Sequence, residues 1–100
     1  MEIRFLEIAQ IELDEAVEYY NFESPGLGDE FLLEILNIIE RIKHFPKDWH
    51  PFTNTTRRCQ IRRFPYGVIY QILDTEFLII AIANLHREPD YWKERIIEQV

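Results

Sequence analysis

Cysteine is nearly absent from this chain. Cys59 stands alone among 100 residues, which excludes an internal disulfide framework and fits a reducing compartment. Glycine is scarce too, at three residues. Two of the three, in Gly26-Leu27-Gly28, follow a helical pattern rather than a strand, so neither nucleotide-binding fingerprint is present. The three histidines His44, His50 and His86 have no ligand-like spacing, and no metal or cofactor is expected. No stretch approaches the 18 or more uninterrupted apolar residues of a membrane span. The start, Met1-Glu2-Ile3-Arg4, has neither the basic opening nor the apolar run of a secretory signal.

What is present is a core. Hydrophobic residues make up 47% and aromatics 14%, far above a disordered composition. The length suits one domain spanning residues 1–100, and the chain reads as a small cytoplasmic globular protein. Acids outnumber bases 18 to 11, a net charge of −7. The imbalance is uneven: residues 1–50 hold 12 acids and 4 bases, whereas residues 51–100 hold 6 and 7. Arg57, Arg58, Arg62 and Arg63 crowd into seven positions, so a basic patch can coexist with the acidic total.

Periodicity supplies the elements. Glu2 to Leu6 reads as an edge strand. From Ala9, a stripe of Ala9, Leu13, Ala16, Val17 and Tyr20 predicts a helix with Glu12, Asp14, Glu15 and Glu18 mainly off the stripe, as a solvated face. Ser24-Pro25-Gly26 breaks it. A second helix begins near Leu27 or Gly28 on the stripe Phe31, Ile35, Ile38, Ile42 and Phe45, widened by Leu32 and Ile39; Pro46 ends it. Pro46 to Thr56 reads as a loop, with His50 in it. Three strands follow, Arg57–Arg63, Tyr66–Leu73 and Phe77–Leu85, joined by links short enough for antiparallel neighbours. A last short helix is expected from about Pro89, with Asp90 in its first turn. The fold class is α+β, in the order β-α-α-β-β-β-α, with a helical hairpin on one face of a small antiparallel sheet.

Few residues offer chemistry. Cys59 alternates in phase with Ile61 toward the apolar face and reads as a buried thiol. The group at the end of the last strand holds more: His86, Arg87, Tyr91, Trp92 and Arg95. Arginine stabilises a phosphate, histidine moves a proton near neutral pH, and an aromatic ring stacks on a base. Sheet pairing could gather this group near Arg57, Arg58, Arg62 and Arg63. The structural alternative stands beside it: Tyr91 and Trp92 cap the core, while Arg87 or Arg95 pairs with acids.

An ordered set of motifs then carries a resemblance. Leu13-Asp14-Glu15-Ala16 with Tyr19-Tyr20, Gly26-Leu27-Gly28-Asp29-Glu30-Phe31, and Pro46 with Trp49 come first. Arg62-Arg63-Phe64-Pro65-Tyr66 with Ile69-Tyr70, and His86-Arg87-Glu88-Pro89-Asp90-Tyr91-Trp92, complete it. Together they resemble the RelE/ParE superfamily of toxins from bacterial type II toxin–antitoxin systems. The resemblance implies a helical hairpin against a small sheet, and a cognate antitoxin that wraps and neutralises the toxin. It also implies one of two targets. The RelE branch cuts mRNA on the ribosome, for which Arg87, His86 and Tyr91 would be catalytic, with Arg57, Arg58, Arg62, Arg63 and Arg95 as phosphate contacts. The ParE branch inhibits DNA gyrase with no hydrolytic chemistry. Gly67 stands where the nuclease has a further arginine, the usual second-strand lysines are missing, and −7 is unlike a ribosome-docking protein. These departures favour the ParE-like branch. A third reading is an inactive toxin-fold module that binds an antitoxin or forms a homodimer through its hairpin.

Overall fold

Two amphipathic helices and a run of β-branched segments each have one apolar side to bury, and they bury it against one another. The computed structural model describes residues 2–45, 50–51, 55–88 and 90–97. Pro46, Trp49 and Pro89, all part of the sequence motifs, lie outside the described residues. Strand β1 (Glu2–Phe5) leads into α1 (Glu7–Glu23) and α2 (Leu27–His44). Then come β2 (His50–Pro51), β3 (Thr56–Gln60), β4 (Tyr66–Ile72) and β5 (Glu76–Asn84). Among the described residues the strands form one sheet in the order β1-β5-β4-β3-β2.

The helical hairpin turns on a few atoms. Gly26 adopts φ 90°, the left-handed region that a side chain disfavours. Asn21 of α1 reaches across the turn, and its Oδ1 accepts the backbone N–H groups of Gly26 (3.1 Å) and Gly28 (2.8 Å). That satisfies two donors at the start of α2 that would otherwise lack partners. Gly28 lets the two helices approach closely: a Cβ there would lie 2.1 Å from the Val17 carbonyl oxygen.

The helices cover one face of the sheet. Ala9, Leu13 and Ala16 of α1 and Phe31, Ile35, Ile39 and Ile42 of α2 pack against Cys59, Val68, Tyr70, Ile79 and Ile82. Ile39 is buried as the widened stripe expects, while Phe45, also expected on the stripe, is exposed at the helix end. The opposite face has its own smaller core, in which Ile69, Leu78, Ile80, Ala81 and Ala83 pack under Trp92. Strand β5 is therefore covered on both sides, which explains its almost unbroken apolar sequence. A register shift between Ile69 and Tyr70, which pair with Ala81 and Ile79, leaves Ile80 unopposed. The bulge resets the alternation, so Ile79 and Ile82 both face the helices.

The α+β arrangement follows the sequence expectation, and three details depart from it. Strand β1 runs parallel to β5, so the sheet is mixed rather than wholly antiparallel. His50 and Pro51 form a short strand against Arg58 and Arg57 rather than continuous loop. The expected final helix is only a 3₁₀ turn at Lys93–Arg95. Its cause is local: Asp90 has φ 68°, a left-handed conformation that no residue inside the first turn of an α-helix can hold, so a helix running on from position 89 is interrupted. The succession of turns that follows lets Trp92 and Ile96 lie across the second face. Gln71, fully buried, holds this segment: its amide accepts the Ile97 N–H at 3.0 Å and donates to the Ile97 carbonyl.

Candidate functional site

The residues expected to carry chemistry converge at the exit of β5, and the element that organises them is α1. Strand β1 stops pairing where Leu6 donates its N–H to the Ile79 carbonyl. Beyond that point side chains take over the edge of β5. The Ile82 N–H donates to Glu12 Oε1 (3.1 Å), and the Ile80 carbonyl accepts from Arg95 Nη1 (3.1 Å). Glu12 and Arg95 are themselves joined by two parallel bonds, Nη1 to Oε1 at 2.8 Å and Nη2 to Oε2 at 3.2 Å. Both side chains are largely buried, at 12% and 17% exposure. A forked pair of this kind is among the stronger geometries open to a carboxylate.

Tyr91 completes the network by donating its hydroxyl to Glu12 Oε2 at 3.0 Å. Burial and the nearby Glu12 carboxylate push the phenol up to about 12, with Arg87 and Arg95 pulling weakly the other way. It therefore stays a proton donor to Glu12 at physiological pH. The Arg87 guanidinium carbon lies 3.9 Å from the centre of the Tyr91 ring, and that of Arg95 lies 5.2 Å from it. Arg87 is set there by a turn in which Asn84 accepts the His86 N–H with its side chain (2.9 Å) and the Arg87 N–H with its carbonyl (3.1 Å). His86 and Arg87 are both exposed. A groove of about 280 Å³ opens in front, between α1 and β5, lined by Glu15, Tyr19, Tyr66, Asn84, Arg87 and Tyr91.

The arginine cluster does not join this group. Arg57 shares the phase of Cys59 on the helix face of β3, and Arg58 takes the opposite face. Strand β4 separates both from β5, a gap of roughly 10 Å. The Arg58 stem lies over Gly67, where a Cβ would stand 3.5 Å from Arg58 Cγ. Arg63 faces α2, 3.5 Å from Glu30 and 3.8 Å from Glu34. Arg62 borders a second groove with Arg41, Asn37 and Glu34. Cys59 sits buried at the edge of that groove, and burial pushes its thiol up to about 11. Among the described residues no group of three His, Cys, Asp or Glu is placed to hold a metal ion.

Glu12 is the residue that sequence reasoning passed over, having assigned it to a solvated acidic face. A signal was available: Glu12 sits three residues after Ala9 and four before Ala16, at the border of the buried stripe.

A helical hairpin on a small mixed sheet, whose last long strand ends in an arginine–tyrosine–carboxylate network, makes this a small α+β domain of two layers. The family model described as "ParE toxin of type II toxin-antitoxin system, parDE" matches residues 3–91, and the chain belongs to that family. A solved chain of the chromosomal ParDE toxin–antitoxin system from P. aeruginosa shares the fold. Its TM-score is 0.74 at 14% identity, covering 86% of this chain and 97% of that one. No curated protein sequence matches. The family defines the chain as a toxin of a type II toxin–antitoxin system. No helix among the described residues is long and apolar enough to cross a membrane.

Proposed function

We propose that this toxin is held inactive by a cognate antitoxin and, when free, inhibits DNA gyrase. The toxin class comes from the family match over residues 3–91. The observation supporting gyrase over mRNA cleavage is the state of Tyr91 and Arg95. A ribonuclease needs a group that can take a proton from the 2′-hydroxyl and cations free to meet the phosphate. Here the Tyr91 hydroxyl is committed to Glu12, its pKa is raised to about 12, and Arg95 is forked onto the same carboxylate. Arg87 is the exposed cation of the site, and a single arginine beside a neutral phenol suits docking to an anionic or carboxylate-bearing surface. The acidic total of −7 agrees, because phosphate neutralisation dominates affinity for RNA.

The test is expression with and without the neighbouring reading frame, scoring growth, DNA supercoiling and mRNA integrity together. The proposal expects growth arrest relieved by the neighbouring product, loss of supercoiling with purified protein, and intact mRNA on ribosomes. Ribosome-dependent cleavage abolished by Arg87→Ala would move the protein to the RelE-like mechanism. Normal growth with full supercoiling would leave an inactive binding module.

A further inference from the structure

Between α2 and the end of β3 lies a second groove, of about 270 Å³, to which the toxin reading gives no task. One strip of α2 forms a wall of it: Glu34, Asn37, Ile38 and Arg41 follow at three- and four-residue steps and so share a face. Cys59, Gln60 and Arg62 line the other side. Cys59 is buried and Ile38 half-buried, which makes the floor apolar, while Asn37, Arg41, Gln60 and Arg62 are exposed around it. Strand β4 separates β3 from β5, so this groove stands apart from the Glu12–Arg95 network.

The polar groups here are matched unevenly. Glu34 Oε2 is buried, and no donor among the described residues reaches it. Arg63 Nη1 stands 3.8 Å away, close enough to offset its charge but too far to donate a hydrogen bond. What that oxygen lacks is therefore a neutral donor such as a hydroxyl, rather than a second cation. Arg62, by contrast, is exposed and pairs with no carboxylate among the described residues. With Arg41 it brings two guanidinium groups to the groove, and their planar forks match a carboxylate. Two arginines and one glutamate give the lining a charge of +1, which suits a monoanion and sets Glu34 against a polyphosphate. The volume lies just below the range of drug-sized pockets, so the occupant is a small metabolite. We propose that this groove binds a small hydroxycarboxylate of the sugar-acid kind. Its carboxylate lies on Arg62 and Arg41, one hydroxyl donates to Glu34 Oε2, and the Asn37 and Gln60 amides bond the remaining hydroxyls.

The test is titration of the full chain with gluconate, followed by amide NMR and calorimetry. Gluconate is expected to shift the amides of Asn37, Gln60 and Arg62 at millimolar concentration or below. Hexanoate has the carboxylate without the hydroxyls and should bind about tenfold or more weakly, the loss of one hydrogen bond to a charged group. Glucose, with hydroxyls and no carboxylate, should not bind. Arg62→Ala, at an exposed position, should weaken gluconate about tenfold or more. Glu34→Leu should bring gluconate and hexanoate within about twofold of each other. Circular dichroism checks both variants against the parent; if Glu34→Leu fails to fold, the preference of the parent for gluconate over hexanoate carries the same test. No shifts with gluconate, or shifts confined to other residues, overturn the site. Equal binding of gluconate and hexanoate by the parent overturns the hydroxyl contact at Glu34. Tighter binding of inorganic phosphate, lost in Arg62→Ala, overturns the carboxylate in favour of a phosphate ligand.

Discussion

Replacing Glu12 by alanine removes one carboxylate and takes the acceptor from three groups at once. The Ile82 N–H is fully buried, and an orphaned buried amide costs about 1–3 kcal/mol. Arg95 loses both of its bonds to Glu12, and Tyr91 loses the acceptor for its hydroxyl. Breaking a fully buried ion pair costs about 3–5 kcal/mol, but 17% exposure lets Arg95 recover some hydration. A combined loss of about 3 kcal/mol is expected, a roughly 150-fold fall in the folding constant. At about 4–8 °C per kcal/mol for a domain of this size, Tm should drop by about 12 °C or more. The assay is urea unfolding followed by circular dichroism, on Glu12→Ala, Arg95→Met and the double variant. Arg95→Met leaves Glu12 with Ile82 and Tyr91 and should cost about 2 kcal/mol. The double variant should fall short of the sum by about 1 kcal/mol or more, since each single change strands the partner of the other. A Glu12→Ala stability within about 0.5 kcal/mol of the parent, the range of ordinary surface changes, would refute the account of this network.

Three further outcomes follow from the geometry. Gly28→Ala should cost about 3 kcal/mol by urea titration, because the new methyl meets the Val17 carbonyl at 2.1 Å and the helices must move apart. Cys59, with its thiol raised to about 11, should resist a thiol-specific disulfide reagent at about pH 8 and react only as the chain unfolds in urea. Tyr91 is raised from 10.0 to about 12 in the folded state. Its contribution to stability is therefore complete below pH 10 and disappears as pH rises through about 12; the late phenolate absorbance, to which the half-buried Tyr20 and Tyr66 also contribute, should shrink in Tyr91→Phe.

The sequence carries the local elements well and the long-range pairings poorly. Helix α2 is legible because its stripe, its first-turn acids Asp29 and Glu30 and its last-turn Arg41, Lys43 and His44 agree. The strands β3 to β5 are legible because turns bound each apolar run. The parallel pairing of β1 with β5 is not, since edge strands of either direction share the same composition. The final segment misleads because Pro89 followed by an acid suggests a helix start, whereas the left-handed Asp90 and the second apolar face leave only turns and one 3₁₀ turn. At the site, Arg87 and Tyr91 are brought together by the turn at Asn84. The cluster Arg57, Arg58, Arg62 and Arg63 is compact only in sequence: adjacent strand residues point to opposite faces, and α2 draws Arg63 away. Glu12 stays hidden because a carboxylate at the border of a stripe looks like any surface acid until its cation, 83 positions away, folds onto it.

The parallel pairing of β1 with β5 sets a schedule for synthesis. Arg4 and Glu76, which bond across the two strands, are 72 positions apart. At about 5–20 residues per second, the ribosome needs about 4–14 s to deliver the second after the first. Once His44 has been added the hairpin of α1 and α2 is complete in sequence, and Leu13, Phe31 and Ile35 must wait for the strands that will cover them. The buried acid–base pair is later still, because Arg95 emerges after all of β5. A nascent toxin therefore passes through a period of exposed apolar surface before its working end is assembled, and that period is the natural window for a chaperone to engage it.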